Sequence, residues 1–341
     1  MDTFTAMQST VAEIVRPGHG ILAADESIPT ITKRFNALGI DSTEENRRRY
    51  RELLIGAPAV GDYISGVILF EETLRQKADD GTPLPELAKR NGVVPGIKVD
   101  KGPVEMPNAC GDKVTQGLDG LADRLHEYAA LGARFAKWRN VYAIGPDTPT
   151  PLGIKVNAET LARYAALCQN AGIVPIVEPE VLIDGDHTIE QCAEVSEQAF
   201  HALFHALHRH RVQLEFTILK PNMVLPGKQY SRKASPEEVA ARTVAILKRT
   251  VPPALPTINF LSGGQTPEEA TANLNAMNRL DTVRPWNLSF SYARALQEPA
   301  MAAWRGMPEN VHAARDAFLK RARLNAAAQQ GQYEPIMEKE S

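Results

Sequence analysis

Three features are scarce in this chain of 341 residues: cysteine, net charge and long apolar runs. The three cysteines, Cys110, Cys168 and Cys192, are far apart and form no C-x-x-C pair, which favours a reducing compartment over a disulfide framework. The formal net charge of -3 gives no indication of a nucleic-acid partner. No apolar stretch reaches the ~18 residues that suggest a membrane span, and the first residues do not resemble a signal peptide. These absences predict a cytoplasmic protein without nucleic-acid or membrane partners.

The sequence does contain a repeated alternation of short β-rich apolar runs with segments of helical period. The runs predict strands at residues 20–25, 63–70, 94–100, 133–139, 173–180, 214–220, 257–262 and 286–291. Apolar residues three and four positions apart predict helices at 121–131, 158–170, 189–210, 236–250 and 267–278. This alternation is typical of an α/β protein, a single (β/α)8 TIM barrel over residues 1–341. We expect a short N-terminal helix and, after Gln330, a short mobile tail.

Ionisable residues lie at the carboxyl ends of five of the predicted strands. They are Asp25, Lys98, Lys137, Arg139, Glu178, Glu180 and Lys220, with Asp100 set aside as part of a loop. Active sites of parallel barrels lie at this end of the strands, and burial of a lone charge is costly. A single such residue is about as often a salt bridge at the rim. Several at corresponding ends favour one shared cavity with shifted pKa values.

This set of charges contains a candidate nucleophile for a ketone. A lysine amine attacks only in its neutral form, which desolvation and a neighbouring ammonium both favour. Lys220 follows an apolar strand face, and Lys137 is the candidate for the neighbouring charge. A Schiff base formed there would act as an electron sink for breaking a carbon–carbon bond. Glu178 and Asp25 are the candidates for the proton transfers.

A candidate phosphate site follows the seventh and eighth predicted strands. Ser262, Gly263 and Gly264 are small residues whose backbone N–H groups are free to bind an anion. By itself this segment is more often a plain turn, but Arg294 follows the next strand and its guanidinium suits phosphate. Arg34, with its basic neighbour after the first strand, is a candidate for the other end of a bisphosphate. Alone, that basic pair would be a solvated helix face.

Ordered segments along nearly the whole chain resemble the signature segments of class I fructose-1,6-bisphosphate aldolases. They are GILAADES, GVILFEETL, GIKVDKG, FAKWR, IVPIVEPE, LKPNMV, FLSGGQ and SYARAL. The resemblance implies a (β/α)8 barrel and the reversible cleavage of fructose 1,6-bisphosphate to dihydroxyacetone phosphate and glyceraldehyde 3-phosphate. It implies a lysine Schiff base, a place in glycolysis and gluconeogenesis, and no metal or other cofactor. By analogy it also implies a homo-oligomer, commonly a tetramer.

The resemblance also implies a role for individual residues. The segment LKPNM carries the imine-forming lysine, at Lys220, and IVEPE carries the acid/base glutamate, at Glu178. FAKWR carries a catalytic lysine at Lys137, and DES an aspartate at Asp25. The substrate-binding positions that it implies are Lys98, Arg139, Arg34, Ser27, Ser262, Gly263, Gly264, Ser291 and Arg294.

The sequence departs from the family pattern at three places. Ala293 stands where the family usually has glycine, and an alanine N–H binds phosphate comfortably there only if its φ is negative. Ile28, Pro29 and Thr30 replace the small residues that follow DES in animal members. The chain ends at Ser341 without the terminal tyrosine of the animal enzymes, which favours a shorter, bacterial-type or plastid-type member.

Two alternatives compete with this interpretation. A metal-dependent aldolase needs histidine or carboxylate ligands at strand ends, and none of the eight histidines ends a predicted strand. His201, His205 and His208 share one side of a predicted helix, which is more often a partly exposed face than a metal site. A non-catalytic phosphosugar-binding barrel would be expected to lack Lys220 or Glu178, and both are present. The preference among fructose 1,6-bisphosphate, fructose 1-phosphate and sedoheptulose bisphosphate stays open.

Overall fold

The computed structural model describes residues 2–339, and its centre is a closed barrel of eight parallel strands. Each strand pairs with the next along the chain, and the last pairs with the first. The strands are β1 Gly20–Ala24, β2 Ile64–Leu69, β3 Val94–Lys98, β4 Phe135–Tyr142, β5 Val174–Val181, β6 Ile218–Leu219, β7 Thr257–Phe260 and β8 Asn287–Tyr292. The predicted barrel is confirmed.

Helices connect the strands and form the outer layer. They are α1 Thr3–Ile14, α2 Ile28–Asn36, α3 Glu44–Ile55, α4 Glu71–Arg75, α5 Leu84–Arg90, α6 Leu121–Ala130, α7 Pro151–Asn170, α8 Ile189–Arg209, α9 Pro236–Thr250, α10 Pro267–Arg279, α11 Arg294–Trp304 and α12 Val311–Gln329. Between β3 and α6, Pro103–Glu105 and Lys113–Thr115 form a small antiparallel hairpin. Among residues 2–339, no helix combines the length and the apolar character that crossing a bilayer requires.

Local start signals explain where several helices begin. Thr266 accepts a hydrogen bond from the Glu269 N–H at 3.1 Å, and the Glu269 carboxylate accepts one from the Thr266 N–H at 2.9 Å. This is a capping box, and it fixes the first turn of α10 directly behind the end of β7. Ser235 caps α9 through the Glu238 N–H in the same way.

Strand β6 is shorter than predicted. The sequence predicts a strand over 214–220, but Leu214–Phe216 forms a turn of 3-10 helix and only Ile218–Leu219 joins the ladder. The turn directs the Phe216 ring under the barrel, where its centroid lies 4.7 Å from that of Phe4 in the edge-to-face arrangement. Packing against α1 therefore overrides the β propensity of this run.

The amino-terminal half of the barrel interior is filled by apolar side chains. Phe135 fits there because the facing Gly96 has no side chain. A Cβ on Gly96 would lie 2.3 Å from the Phe135 ring. Helix α1 closes this end of the barrel with buried apolar side chains. The polar site is thus confined to the other end.

The tail after Gln330, predicted to be short and mobile, makes specific contacts with the helix layer as far as Glu338. Tyr333 is buried, and its N–H donates to the Asn275 side chain at 3.0 Å. Glu338 lies 2.6 Å from the guanidinium of Arg321, a buried residue of α12. A buried arginine needs such a counter-charge, and this need holds the tail in place. The last two residues, 340–341, lie outside the described part of the chain.

Candidate active site

A cavity of about 920 Å³ opens at the carboxyl ends of the strands. Every site residue that the sequence predicts lines this cavity: Asp25, Ser27, Arg34, Lys98, Lys137, Arg139, Glu178, Lys220, Ser262, Gly263, Gly264, Ser291 and Arg294. They come from the ends of six strands, from α2 and its N-cap, from the loop after β7 and from the start of α11. The fold therefore brings together residues that are up to 269 positions apart in the chain, from Asp25 to Arg294.

Two lysines and two carboxylates form the floor of this cavity. The Nζ of Lys137 lies 2.6 Å from Asp25 Oδ2 and 3.1 Å from Glu178 Oε2. The Nζ of Lys220 lies 3.1 Å from the other oxygen of the same glutamate, Oε1. None of the four residues is more than 7% exposed. Glu178 thus bridges the two amines in a largely dry environment.

The pKa values of this cluster are governed by burial and by opposite charge. Burial would raise the pKa of the Asp25 and Glu178 carboxyls, but the ammonium groups of Lys137 and Lys220 outweigh it and lower both. Burial would lower the pKa of Lys137, but Asp25 and Glu178 raise it. Both acids are therefore ionised at neutral pH, and Lys137 carries a positive charge.

Strand alternation explains why these side chains point inward. On β4, Phe135 packs inside the barrel and Lys137 follows it two positions later on the same face. The intervening Ala136 and the next residue, Trp138, belong to the core beneath the helices, where the Trp138 ring lies 5.5 Å from Tyr164. The same alternation on β5 and β6 brings residues 178 and 220 into the cavity.

The backbone also fixes Lys220. Its N–H donates to the Val177 carbonyl of β5 at 2.9 Å, and the following residue, Pro221, has no N–H to continue the ladder. The carbonyl of Pro221 accepts instead from the Leu261 N–H of the next strand end, at 3.0 Å. Lys220 therefore sits next to both the Glu178 strand and the loop that follows β7.

The loop after β7 has the geometry of an anion nest. Gly263 and Gly264 have φ values of 51° and 81°, in the left-handed region that glycine adopts without strain. The hydroxyl of Ser291 is buried nearby without a hydrogen-bond partner. Ala293 has a φ of -99°, and this negative value leaves its N–H able to bind a phosphate without backbone strain. Arg294 starts α11 at the same edge of the cavity.

The parts of the wall after β1, β3 and β4 carry cations that are each paired with a carboxylate. The Nη1 of Arg34 lies 2.5 Å from Glu26, the Nζ of Lys98 lies 2.8 Å from Asp100, and the Nε of Arg139 lies 2.5 Å from Glu180. Ser27 is the N-cap residue of α2, and its Oγ lies 3.1 Å from the Thr30 hydroxyl. Ile28, Pro29 and Thr30, the unusual segment after DES, form the first turn of this helix.

Sequence reasoning missed two carboxylates of this wall. Asp100, set aside as a loop residue, is buried, lines the cavity and holds Lys98. Its position in the sequence already indicated a site residue, since it lies two residues after the end of β3. Glu26 was not singled out at all, although it follows Asp25. Only the three-dimensional arrangement shows that it contacts two arginines.

The residues of a metal-dependent alternative are not brought together. Within residues 2–339, no group of three histidine, cysteine, aspartate or glutamate side chains lies close enough to hold a metal ion. His201, His205 and His208 are exposed on α8.

A barrel that holds paired lysines against two ionised carboxylates is the architecture of an enzyme, and it fits the class that works through a covalent imine. The family model described as fructose-bisphosphate aldolase class-I matches residues 6–341. The chain belongs to this family. It is therefore a lyase that splits a carbon–carbon bond, and the resemblance predicted from the sequence is confirmed.

Individual relatives agree with this membership. The cytoplasmic isozyme of fructose-bisphosphate aldolase from Spinacia oleracea is 56% identical over 321 residues, covering 94% of this chain and 90% of the relative. Fructose-bisphosphate aldolase 6, cytosolic, from Arabidopsis thaliana is 54% identical over 338 residues, covering 98% and 94%. The predicted cytoplasmic location agrees with both names.

A solved structure agrees as well. It is a fructose-bisphosphate aldolase from Plasmodium falciparum in complex with TRAP and a small-molecule inhibitor. That chain matches with a TM-score of 0.96 and 50% identity, covering 98% of this chain and 96% of its own length. Barrel and helix layer thus correspond over almost the whole molecule.

Proposed function

We propose that this enzyme cleaves fructose 1,6-bisphosphate reversibly into dihydroxyacetone phosphate and glyceraldehyde 3-phosphate through a Schiff base on Lys220. The observation that carries the proposal is the bridge of Glu178 between Lys220 and Lys137, with 3.1 Å to each amine. It gives the amine an acceptor for its proton and a neighbouring positive charge, among side chains that are at most 7% exposed.

Imine formation uses Lys220 and Glu178. The ammonium of Lys220 first gives a proton to the adjacent Glu178 carboxylate. The neutral amine then attacks the ketone carbon, C2, and the proton that its nitrogen loses on addition passes to the alkoxide oxygen, which gives the carbinolamine. The protonated Glu178 finally donates its proton to the hydroxyl group of the carbinolamine, which leaves as water. The product is a protonated imine. Its positive charge replaces that of a lysine ammonium, so the two carboxylates still balance the charge of the cluster.

Carbon–carbon cleavage needs a base for the hydroxyl on C4. An ionised carboxylate of the cluster, Glu178 or Asp25, takes that proton, and the lowered pKa of both keeps them ionised. The C3–C4 bond breaks, its electron pair moves into the imine, and glyceraldehyde 3-phosphate leaves. The resulting enamine is protonated at C3. Water then hydrolyses the imine, which releases dihydroxyacetone phosphate and restores the amine of Lys220.

The two phosphates have separate binding regions in this proposal. The nest of Gly263 and Gly264 adjoins Lys220 through the Leu261–Pro221 hydrogen bond. The 1-phosphate, next to the ketone carbon, is therefore assigned to this nest. The other members of this region are Ser262, the unpartnered Ser291 hydroxyl and Arg294.

The 6-phosphate is assigned to the wall after β1, toward Arg34 of α2 and Ser27, the N-cap residue of that helix. Lys98 and Arg139 stand on β3 and β4, across the barrel from β7 and β8, where they are suited to the sugar hydroxyls and to the second phosphate. Their carboxylate partners leave them in fixed positions before the substrate arrives, which reduces the ordering cost of binding.

We also propose a homotetramer, by analogy with the family alone. Sedimentation equilibrium over a range of concentrations tests it. A mass of one chain at micromolar concentration would contradict this assembly without affecting the proposal for the catalytic site.

Trapping with borohydride tests the chemistry. Reduction in the presence of dihydroxyacetone phosphate is expected to inactivate the enzyme irreversibly and to add the mass of the reduced ketone to the peptide that contains Lys220. Lys220→Ala is the control, and it is expected to lose both the adduct and turnover. An adduct on Lys137, or cleavage above background by Lys220→Ala, would overturn the assignment. EDTA is expected to leave the rate unchanged.

A further inference from the structure

Glu26 is part of the cavity wall and binds three side chains at once. Its Oε1 accepts hydrogen bonds from Arg34 Nη1 at 2.5 Å and from Gln297 Nε2 at 2.8 Å. Its Oε2 accepts one from Arg51 Nη2 at 2.6 Å. The side chains of Glu26 and Arg51 are each 3% exposed, whereas that of Arg34 is 26% exposed toward the cavity.

The cluster is short of negative charge. Glu26 is shared by two guanidinium groups, and within residues 2–339 no other carboxylate pairs with either of them. Arg51 Nη1 is buried without a hydrogen-bond partner, and so is Gln297 Oε1. A net positive charge therefore remains, and the only member of the cluster with substantial exposure is Arg34. An anion that binds Arg34 from the cavity would neutralise this excess positive charge.

The cluster also fixes the direction of Arg34. Glu26 stands at the end of β1, Arg34 in α2, Arg51 in α3 and Gln297 in α11, so four elements meet at one carboxylate. The ion pair occupies only Nη1 of the Arg34 guanidinium. Because the guanidinium is planar and rigid, fixing one nitrogen orients Nε and Nη2, the pair that suits bidentate binding of a phosphate.

We propose that Glu26 is a positioning residue for the second phosphate of the substrate. It holds Arg34 in the orientation that grips the 6-phosphate, and it thereby sets the preference for a bisphosphate over a monophosphate. This inference rests on the proposed function, which assigns the 6-phosphate to Arg34.

A purely structural role is the competing explanation. If Glu26 served only to neutralise the buried Arg51, its loss would loosen the protein and impair every substrate alike. The positioning role instead predicts an effect that depends on the number of phosphates. The ratio of the Michaelis constants for fructose 1,6-bisphosphate and fructose 1-phosphate separates the two, since a general loss of folded enzyme cancels in it.

The experiment is a double-mutant cycle on this ratio. Glu26→Gln is expected to raise the ratio about tenfold, as loss of a charge-assisted hydrogen bond does. Arg34→Gln is expected to raise it at least as much. In the double variant, Glu26→Gln is expected to add nothing further, because it acts through Arg34. Glu72→Gln is the matched control: Glu72 pairs with Arg47 at 2.6 Å but does not line the cavity, so its ratio should match that of the unmodified enzyme.

The outcomes distinguish the inference from the function on which it rests. Additive effects in the double variant, or equal losses with both sugars, would overturn the role of Glu26. An unchanged ratio in Arg34→Gln would instead show that the 6-phosphate binds elsewhere. Should Glu26→Gln fail to fold, Gln297→Leu removes the neutral donor to Oε1, together with its hydrogen bond to the Ala23 carbonyl at 2.7 Å. That variant is expected to shift the ratio about threefold in the same direction, and no shift would refute the inference.

Discussion

The two halves of the barrel interior are built on the same strands but have opposite chemistry. On β4, Phe135 belongs to the apolar lower half and Lys137, two positions later on the same face, to the charged upper half. The two positions are only about 7 Å apart along the strand. A single strand thus contributes to stability at one end and to catalysis at the other.

The halves also differ in how they affect stability. Each large apolar side chain buried in the lower half stabilises the fold by roughly 1.5–3 kcal/mol. In the upper half, taking charges out of water opposes folding, and the ion pairs offset that cost only while every partner is present. Substitutions in the upper half should therefore change activity strongly. Substitutions in the lower half should change stability at nearly constant activity. The four predictions that follow test this contrast, from the largest expected effect to the smallest.

Glu178→Gln should produce the largest change, because it removes the carboxylate that bridges both amines. We expect kcat for cleavage of fructose 1,6-bisphosphate to fall by about 10²- to 10⁴-fold, the usual contribution of a general acid/base. Steady-state assays at saturating substrate measure it. A kcat within threefold of the unmodified enzyme would remove Glu178 from the proton transfers.

Asp25→Asn should destabilise the upper half in a manner that depends on pH. The pKa of Asp25 is lowered in the folded state, so its ionisation stabilises the fold above its unfolded pKa of about 3.9. That stabilisation is lost as pH falls through the folded value. We expect the free energy of unfolding of the variant to be lower by about 2 kcal/mol from pH 5 to 8.

Urea unfolding at several pH values measures this difference. The difference in the free energy of unfolding between the two proteins should stay constant near neutrality. It should narrow below about pH 4, where the Asp25 carboxyl of the unfolded chain begins to take up a proton. A gap that widens in acid would contradict the lowered pKa. In alkali, Lys137 keeps its positive charge up to high pH, because its pKa is raised.

Gly96→Ala should destabilise the lower half with little effect on turnover. Its Cβ would lie 2.3 Å from the Phe135 ring, and overpacking of this kind costs about 1–3 kcal/mol. Gly66→Ala, on the neighbouring strand, is the matched control, because its Cβ would approach the same ring no closer than 3.3 Å. Thermal melting should show the larger loss for Gly96→Ala. Should kcat fall with the melting temperature, the two halves would not be independent.

Arg294→Ala should have the smallest of these effects and should act on binding. We expect the Michaelis constant for fructose 1,6-bisphosphate to rise about tenfold while kcat changes little, since a contact to a phosphate that takes no part in bond breaking contributes similarly before and during the reaction. An unchanged Michaelis constant would place the 1-phosphate away from the nest.

Much of this site could be predicted because the relevant patterns are local. The alternation in FAKWR already sets Lys137 and Arg139 on one face, and Pro221 already marks the end of the strand that carries Lys220. The capping box at Thr266 fixed the start of α10 from four consecutive residues. Asp100 was misjudged because its place, two residues past the end of β3, does not reveal whether the loop turns inward.

Features that depend on distant partners could not be predicted in this way. The strand predicted over 214–220 is mostly a turn because the Phe216 ring packs against α1, more than 200 positions earlier in the chain. The tail after Gln330 reads as polar and mobile, yet Arg321 holds Glu338. Neither contact leaves a trace in the local sequence.

The sequence by itself determined the strand and helix alternation and the face on which each catalytic side chain lies, because these follow from periods of two and of three to four residues. Its ordered signature segments indicated the family. Only the tertiary structure decided that Glu178 bridges two lysines and that Glu26 joins Arg34 to Arg51. Closing the barrel sets the distances between strand ends that are far apart in the chain, and electrostatic interactions between their side chains depend on those distances.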